Sequence, residues 1–78
     1  MEEKKFKEKI YGPYGEAWKI IKLLSVAEDD NPELQKVLTH YIDEVGKFKE
    51  RYADNEFALA LYDLLLQADT KIMRMNRA

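Results

Sequence analysis

Seventy-eight residues, 46% of them hydrophobic and 36% charged, suffice for one hydrophobic core and not for two. Cysteine is absent, which excludes a disulfide frame, a thiol nucleophile and a thiolate metal site and makes the interior of a cell the natural compartment. A formal net charge of −2 supplies no global attraction to phosphate, and no run is apolar enough for a signal peptide or for the roughly 20 residues that cross a bilayer.

Residues 1–12 read as an arm. Phe6, Ile10, Ala17 and Leu24 hold one heptad phase across the stretch YGPYG, which predicts a short helix over 3–10, kinked at Gly12 and Pro13 and lying on the same groove as the helix that follows. YGPYG itself is a joint and not a phosphate cradle, because a cradle needs several amides at a helix start and proline removes one. Pro13 suits a first helical turn, so the first main helix is predicted over 13–28. Tyr14, Ala17, Trp18, Ile21 and Leu24 make its main face, and Ile20, Leu23 and Ala27 widen it. On this reading Trp18 belongs to the core, and Tyr11 and Tyr14 are packing residues.

The second helix is predicted over 32–52. Asn31 caps its free amides, Pro32 takes the first helical position and Glu33 complements the dipole. Leu34, Leu38, Tyr41, Val45, Phe48 and Tyr52 follow at spacings of 4, 3, 4, 3 and 4, a seam that keeps one face inward. Glu33 with Lys36, and Asp43 with Lys47, are spaced for ion pairs on the wet side.

The third helix, predicted over 56–76, starts after Asp54 or Asn55 as cap, with Glu56 in its first turn. At about 100° per residue, Phe57, Leu61, Leu64, Leu65, Ala68, Ile72 and Met75 form one apolar face, and Leu59, Tyr62, Leu66 and Met73 form another nearly opposite. Glu56, Asp63, Gln67, Thr70 and Arg74 make the one continuous polar strip. A helix of a lone three-helix bundle meets its two neighbours on adjoining arcs, so the second seam lacks an obvious cover. Asp69 falls at its edge, where it ends the apolar patch or sets register at an interface. The whole chain is thus expected to be a single all-α domain, a three-helix bundle with a jointed N-terminal arm.

Catalytic constellations are thin. His40, Asp43 and Glu44 share a helix face at i, i+3 and i+4, but no second histidine or any cysteine completes a transition-metal shell. Thr39 neighbours His40 in sequence, where side chains of a helix point apart, and neither Ser25 nor Thr70 has a base beside it. No enzyme activity, cofactor or metal is expected. Lys4, Lys5, Lys7 and Lys9 cluster near one end and Lys71, Arg74 and Arg77 near the other. A small nucleic-acid binder or regulator built on them requires the two clusters to meet in space. The reading that fits the composition best is a helical interaction module. Leu59, Tyr62, Leu66 and Met73, widened by Ile20 and Leu23, are its expected interface, and the expected occupant is a second copy, giving a homodimer, or a partner helix.

The order YGEAWKIIKLL, then a helix ending KFKERY, then FALALYDLLL resembles short uncharacterised helical proteins of prophages and mobile elements in Gram-positive bacteria. The resemblance covers most of the chain and implies a bacterial intracellular protein that works through other proteins. It carries no site residue with it.

Overall fold

The computed structural model describes residues 2–77; Met1, at the start of the expected arm, and Ala78 lie outside them. Within these residues the chain is all-α, three helices in one bundle. The first, α1, runs through residues 3–26 without a break: α-helical at Glu3–Phe6, π-helical at Lys7–Tyr11, α-helical at Gly12–Lys22 and 3-10 at Leu23–Val26. It is followed by α2 (Leu34–Arg51) and α3 (Glu56–Arg77).

The expected kink at Gly12 and Pro13 is corrected to a π turn. Gly12 keeps helical dihedrals, φ −55° and ψ −60°, and Pro13 is buried one residue inside the α-helical segment. A proline at position 13 has no N–H to give the carbonyl four residues earlier, which is that of Lys9. Asn55 takes its place, donating Nδ2 to the Lys9 carbonyl at 2.7 Å. The same side chain caps α3, since its Oδ1 accepts the amide of Ala58 at 3.0 Å. One asparagine therefore starts the third helix and mends the first, and Asn55, not Asp54, is the cap.

The π turn also explains why Phe6 leaves the core line. A wide turn carries one extra residue, and one residue is about 100° of helical rotation. Everything ahead of the turn is rotated by that amount against the expected phase. Phe6 is consequently exposed and Ile10 half-buried, so the arm continues α1 and does not lay Phe6 on the groove expected for it.

Asn31 accepts an amide as expected, but Pro32 and Glu33 form a turn, so α2 starts at Leu34 and not at Pro32. The Asn31 Oδ1 accepts the Glu33 amide at 2.8 Å and its Nδ2 donates to the Val26 carbonyl at 2.7 Å. At the far end of α2, Arg51 pairs with Glu16, and a Cβ on Gly12 would lie 3.7 Å from the Tyr52 hydroxyl. Near the end of α3, Asn76 Nδ2 donates to the carbonyls of Ala27 at 3.1 Å and Leu24 at 3.3 Å. These contacts fix the topology. Both ends of α1 meet the matching ends of α3, so those two helices run parallel and α2 runs antiparallel between them in sequence.

The core is built from Ala17, Ile20, Leu24 and Ala27 of α1 and its following turn, Tyr41, Val45 and Phe48 of α2, and Ala58, Leu65 and Ala68 of α3. Phe48 and Tyr52 stack tilted at 5.2 Å between ring centroids. Four of these ten are alanines, which let helices approach closely and leave larger neighbours, Phe48, Leu24 and Leu65, to fill the space. The seam read from α2 is the one that is buried.

Candidate functional site

The two apolar seams of α3 are flanks of one buried arc. Leu65 of the first seam and Ala58, which belongs to neither, are buried; Leu61 and Ile72 on one flank and Tyr62 and Met73 on the other are half-buried against the core, while Leu64 and Met75, expected on the first apolar face, are exposed. This corrects the expectation of an uncovered second seam. The helix packs against both neighbours at once, and each neighbour half-covers the flank on its own side.

The six expected interface residues are accordingly separated. Ile20 is 6% exposed and belongs to the core. Leu23, Tyr62 and Met73 are half-buried on the core, and Leu59 is half-buried on the same flank. Leu66 alone stands well out, 54% exposed. It forms one rim of a groove of about 220 Å³ between α2 and α3, lined by Tyr41, Ile42, Val45, Gly46, Tyr62, Leu65, Leu66 and Asp69. Gly46 leaves the wall low, because nothing lies within 4 Å of where its Cβ would be. Ile42, on the opposite rim, is 62% exposed.

The floor of this groove is held by one hydrogen bond. Tyr41 is buried, and its hydroxyl donates to the Leu65 carbonyl at 2.6 Å, so α2 and α3 are locked in register. Burial, and secondarily the charge of Asp69, push the Tyr41 hydroxyl up to about 12. Asp69 thus sits at the end of the groove as a carboxylate facing a phenol that stays protonated. Lys49 of α2 places its ammonium 4.9 Å from the centre of the Tyr62 ring.

A second surface was missed in the sequence. Phe6, Tyr11, Tyr14 and Trp18 are 54 to 72% exposed, whereas expectation had Trp18 in the core and the tyrosines in packing. Pro13, Ala17, Ile20 and Leu24 occupy the inner face of α1, which turns Tyr14 and Trp18 out to its flank. Glu3, Phe6, Lys7, Ile10, Tyr11 and Tyr14 border one shallow apolar depression on this side. Lys22 continues the line, its ammonium 6.0 Å from the Trp18 ring centre. The signal available in sequence was that Tyr14 and Trp18 each follow a smaller residue, Pro13 and Ala17, about a third of a turn away on the same helix.

The remaining candidates stay apart. His40 is exposed on α2 beside Thr39 and Asp43, and Asp43 and Glu44 are engaged by Lys47 at 3.2 and 3.4 Å. Among the described residues no group of three or more histidines and acids is placed to hold a metal ion. The two basic clusters do not converge. Lys9 lies at the start of α3, where Asn55 meets it, and Arg77 lies at its end, where it pairs with Asp29 at 2.7 Å; the length of α3 separates them. No helix among the described residues is long and apolar enough to cross a membrane. Compared with protein families, curated proteins and solved structures, the chain matches none.

Proposed function

We propose that the chain is a protein-interaction module whose docking face is the aromatic flank of α1. One observation carries this reading: four large aromatic side chains lie more than half exposed along one side of a helix whose other side already completes the core. Exposed aromatic rows of this kind are scarce on soluble monomers and concentrate at binding surfaces, where a rigid ring contributes large contact area at small entropic cost. Lys7 and Lys22 at the two ends of the row add polar rim to an apolar centre, the usual anatomy of an interface.

A second reading keeps the interface expected on α3. It is favoured by the groove between Ile42 and Leu66, which offers two exposed aliphatics where α1 offers four aromatics. The convergence that nucleic-acid binding requires is missing from the positions of the basic clusters.

Photo-crosslinking in the cells that express the chain separates these readings. A photoreactive residue at Tyr14 or Trp18 is expected to give discrete protein adducts, while one at Lys36, on the exposed face of α2, gives none. Adducts from Leu66 and none from Tyr14, Trp18 or Tyr11 would transfer the docking face to the groove.

A further inference from the structure

We infer that the aromatic flank of α1 receives a second copy of this chain, the two α1 helices lying antiparallel across a two-fold axis; this rests on the reading of that flank as the docking face. The order of residues along it has the required symmetry. Glu3, Lys7, Tyr11, Tyr14, Trp18 and Lys22 are spaced 4, 4, 3, 4 and 4, a series that reads the same in both directions. All six are exposed.

A two-fold interface must be complementary to itself, each residue finding its partner twice. Laid antiparallel with the axis between Gly12 and Pro13, the row sets Glu3 opposite Lys22 of the second copy, Lys7 opposite its Trp18 and Tyr11 opposite its Tyr14. Those are an ion pair, a cation–π contact and an aromatic pair, each made twice. Ile10 falls opposite Gly15, which has open space above it and permits close approach.

Other arrangements of the same two helices are disfavoured by charge. A parallel pair places Glu3 on Glu3, Lys7 on Lys7 and Lys22 on Lys22. An antiparallel pair slipped by one turn places Lys7 on Lys22 in one direction, and in the other sets Glu3 opposite Trp18 and Lys7 opposite Tyr14, which gives up both ion pairs and the tyrosine pair. Like charges directly opposed across a helix pair are destabilising, so direction and register are specified by the same residues that make the contact. The intramolecular approach of Lys22 to Trp18, at 6.0 Å, is loose enough to give way.

The interface is small. Aromatic side chains bury about 150–250 Å² each when fully covered, so the three of the row, each more than half exposed, present roughly 300 Å² per copy, well under half of what a standard interface uses on one side. The dimer is therefore weak and reversible.

Sedimentation equilibrium of the purified chain tests this, with circular dichroism confirming that each variant keeps its helices. The wild type is expected to move from monomer to dimer as its concentration is raised toward about 1 mM, and Tyr14→Glu to remain a monomer. Glu3→Lys and Lys22→Glu, each alone, oppose like charges twice and are expected to weaken the dimer several-fold. An equimolar mixture of the two restores both pairs and is expected to recover association. A dimer that survives Tyr14→Glu and is lost in Leu66→Glu would overturn the inference, as would failure of the mixture to recover. A wild type that stays monomeric to about 1 mM would also overturn it. The docking reading itself would survive that last result if crosslinks from Tyr14 led to a different protein, and would fall with it if Tyr14 gave none.

Discussion

The two sides of α1 invert the usual placement of residues. Its inner side presents Pro13, Ala17, Ile20 and Leu24, two of which are small, while its flank presents Tyr11, Tyr14 and Trp18. Apolar surface alone would favour burying the aromatics. What decides is fit: α1 must pack on α2 and α3 at once, and a row of small side chains lets backbones approach to a distance that bulky rings prevent. The surplus apolar area left outside is then available for something else.

The inner side should be the sensitive one. Leu24 is fully buried, so Leu24→Ala is expected to cost about 2–5 kcal/mol, read from urea unfolding. Ala17→Leu tests fit directly, since it adds apolar surface in a place without room. A loss of about 1–3 kcal/mol is expected, and a gain in stability would show that the inner side is not tightly packed.

Asn55 joins the two ends of that contrast. Asn55→Ala removes the cap and the bond to the Lys9 carbonyl together and is expected to cost about 1–2 kcal/mol. Asn55→Asp keeps an acceptor for the Ala58 amide and loses only the donor, so it should fall between Asn55→Ala and wild type.

Tyr41 shows what an aromatic does when it is inside. Tyr41→Phe deletes its bond to the Leu65 carbonyl and is expected to cost about 1 kcal/mol at neutral pH. The wild type carries a further pH dependence. The unfolded phenol ionises near its ordinary value of 10.0 and the folded one not until about 12, so the unfolded state binds fewer protons in that window. This contribution is complete below pH 10 and is lost as the pH climbs toward 12. Urea melts at pH 9 and pH 11.5 should diverge more for the wild type than for Tyr41→Phe.

The smallest effect is expected on the flank. In the monomer, Trp18→Ala should change stability by about 0.5 kcal/mol or less, and dilute wild type should show water-like tryptophan emission. A cost resembling that of Leu24→Ala would erase the distinction between the two sides.

Much of the architecture was legible because it is written in local chemistry. Asn31 and Pro32 announce the start of α2 through a cap and a missing amide, and the alternation of four and three from Leu34 to Tyr52 marks its inner face. Which face of α1 turns inward was not legible. Periodicity groups Tyr14, Ala17, Trp18 and Ile21 within one broad arc but does not say which edge of it meets the neighbours, and that depends on how closely three backbones approach. Phe6 was misplaced for a different reason. The π turn has no sequence signature beyond a proline that follows it, yet it rotates all that precedes it. On α3 the buried arc runs from Leu61, Leu65 and Ile72 of one expected seam through Ala58 to Tyr62 and Met73 of the other, while Leu64 and Met75 of the first seam are exposed; Ala58 is too small to stand out in the pattern, so one arc read as two faces. The groove at Leu66 survives from that reading; Ile20 passes from interface to core.

Asn55 has a dynamic consequence as well. Its two hydrogen bonds connect the first turn of α3 to the wide turn of α1 across 46 positions of sequence, so neither turn can fray while the other stays whole. Amide exchange should register this as a shared opening rate for Ala58 and the residues around Lys9, with the turns ahead of Lys7 exchanging faster and independently. The outer half of the aromatic flank, from Phe6 to Tyr11, is thereby mounted on a segment whose orientation is set by a residue on a different helix.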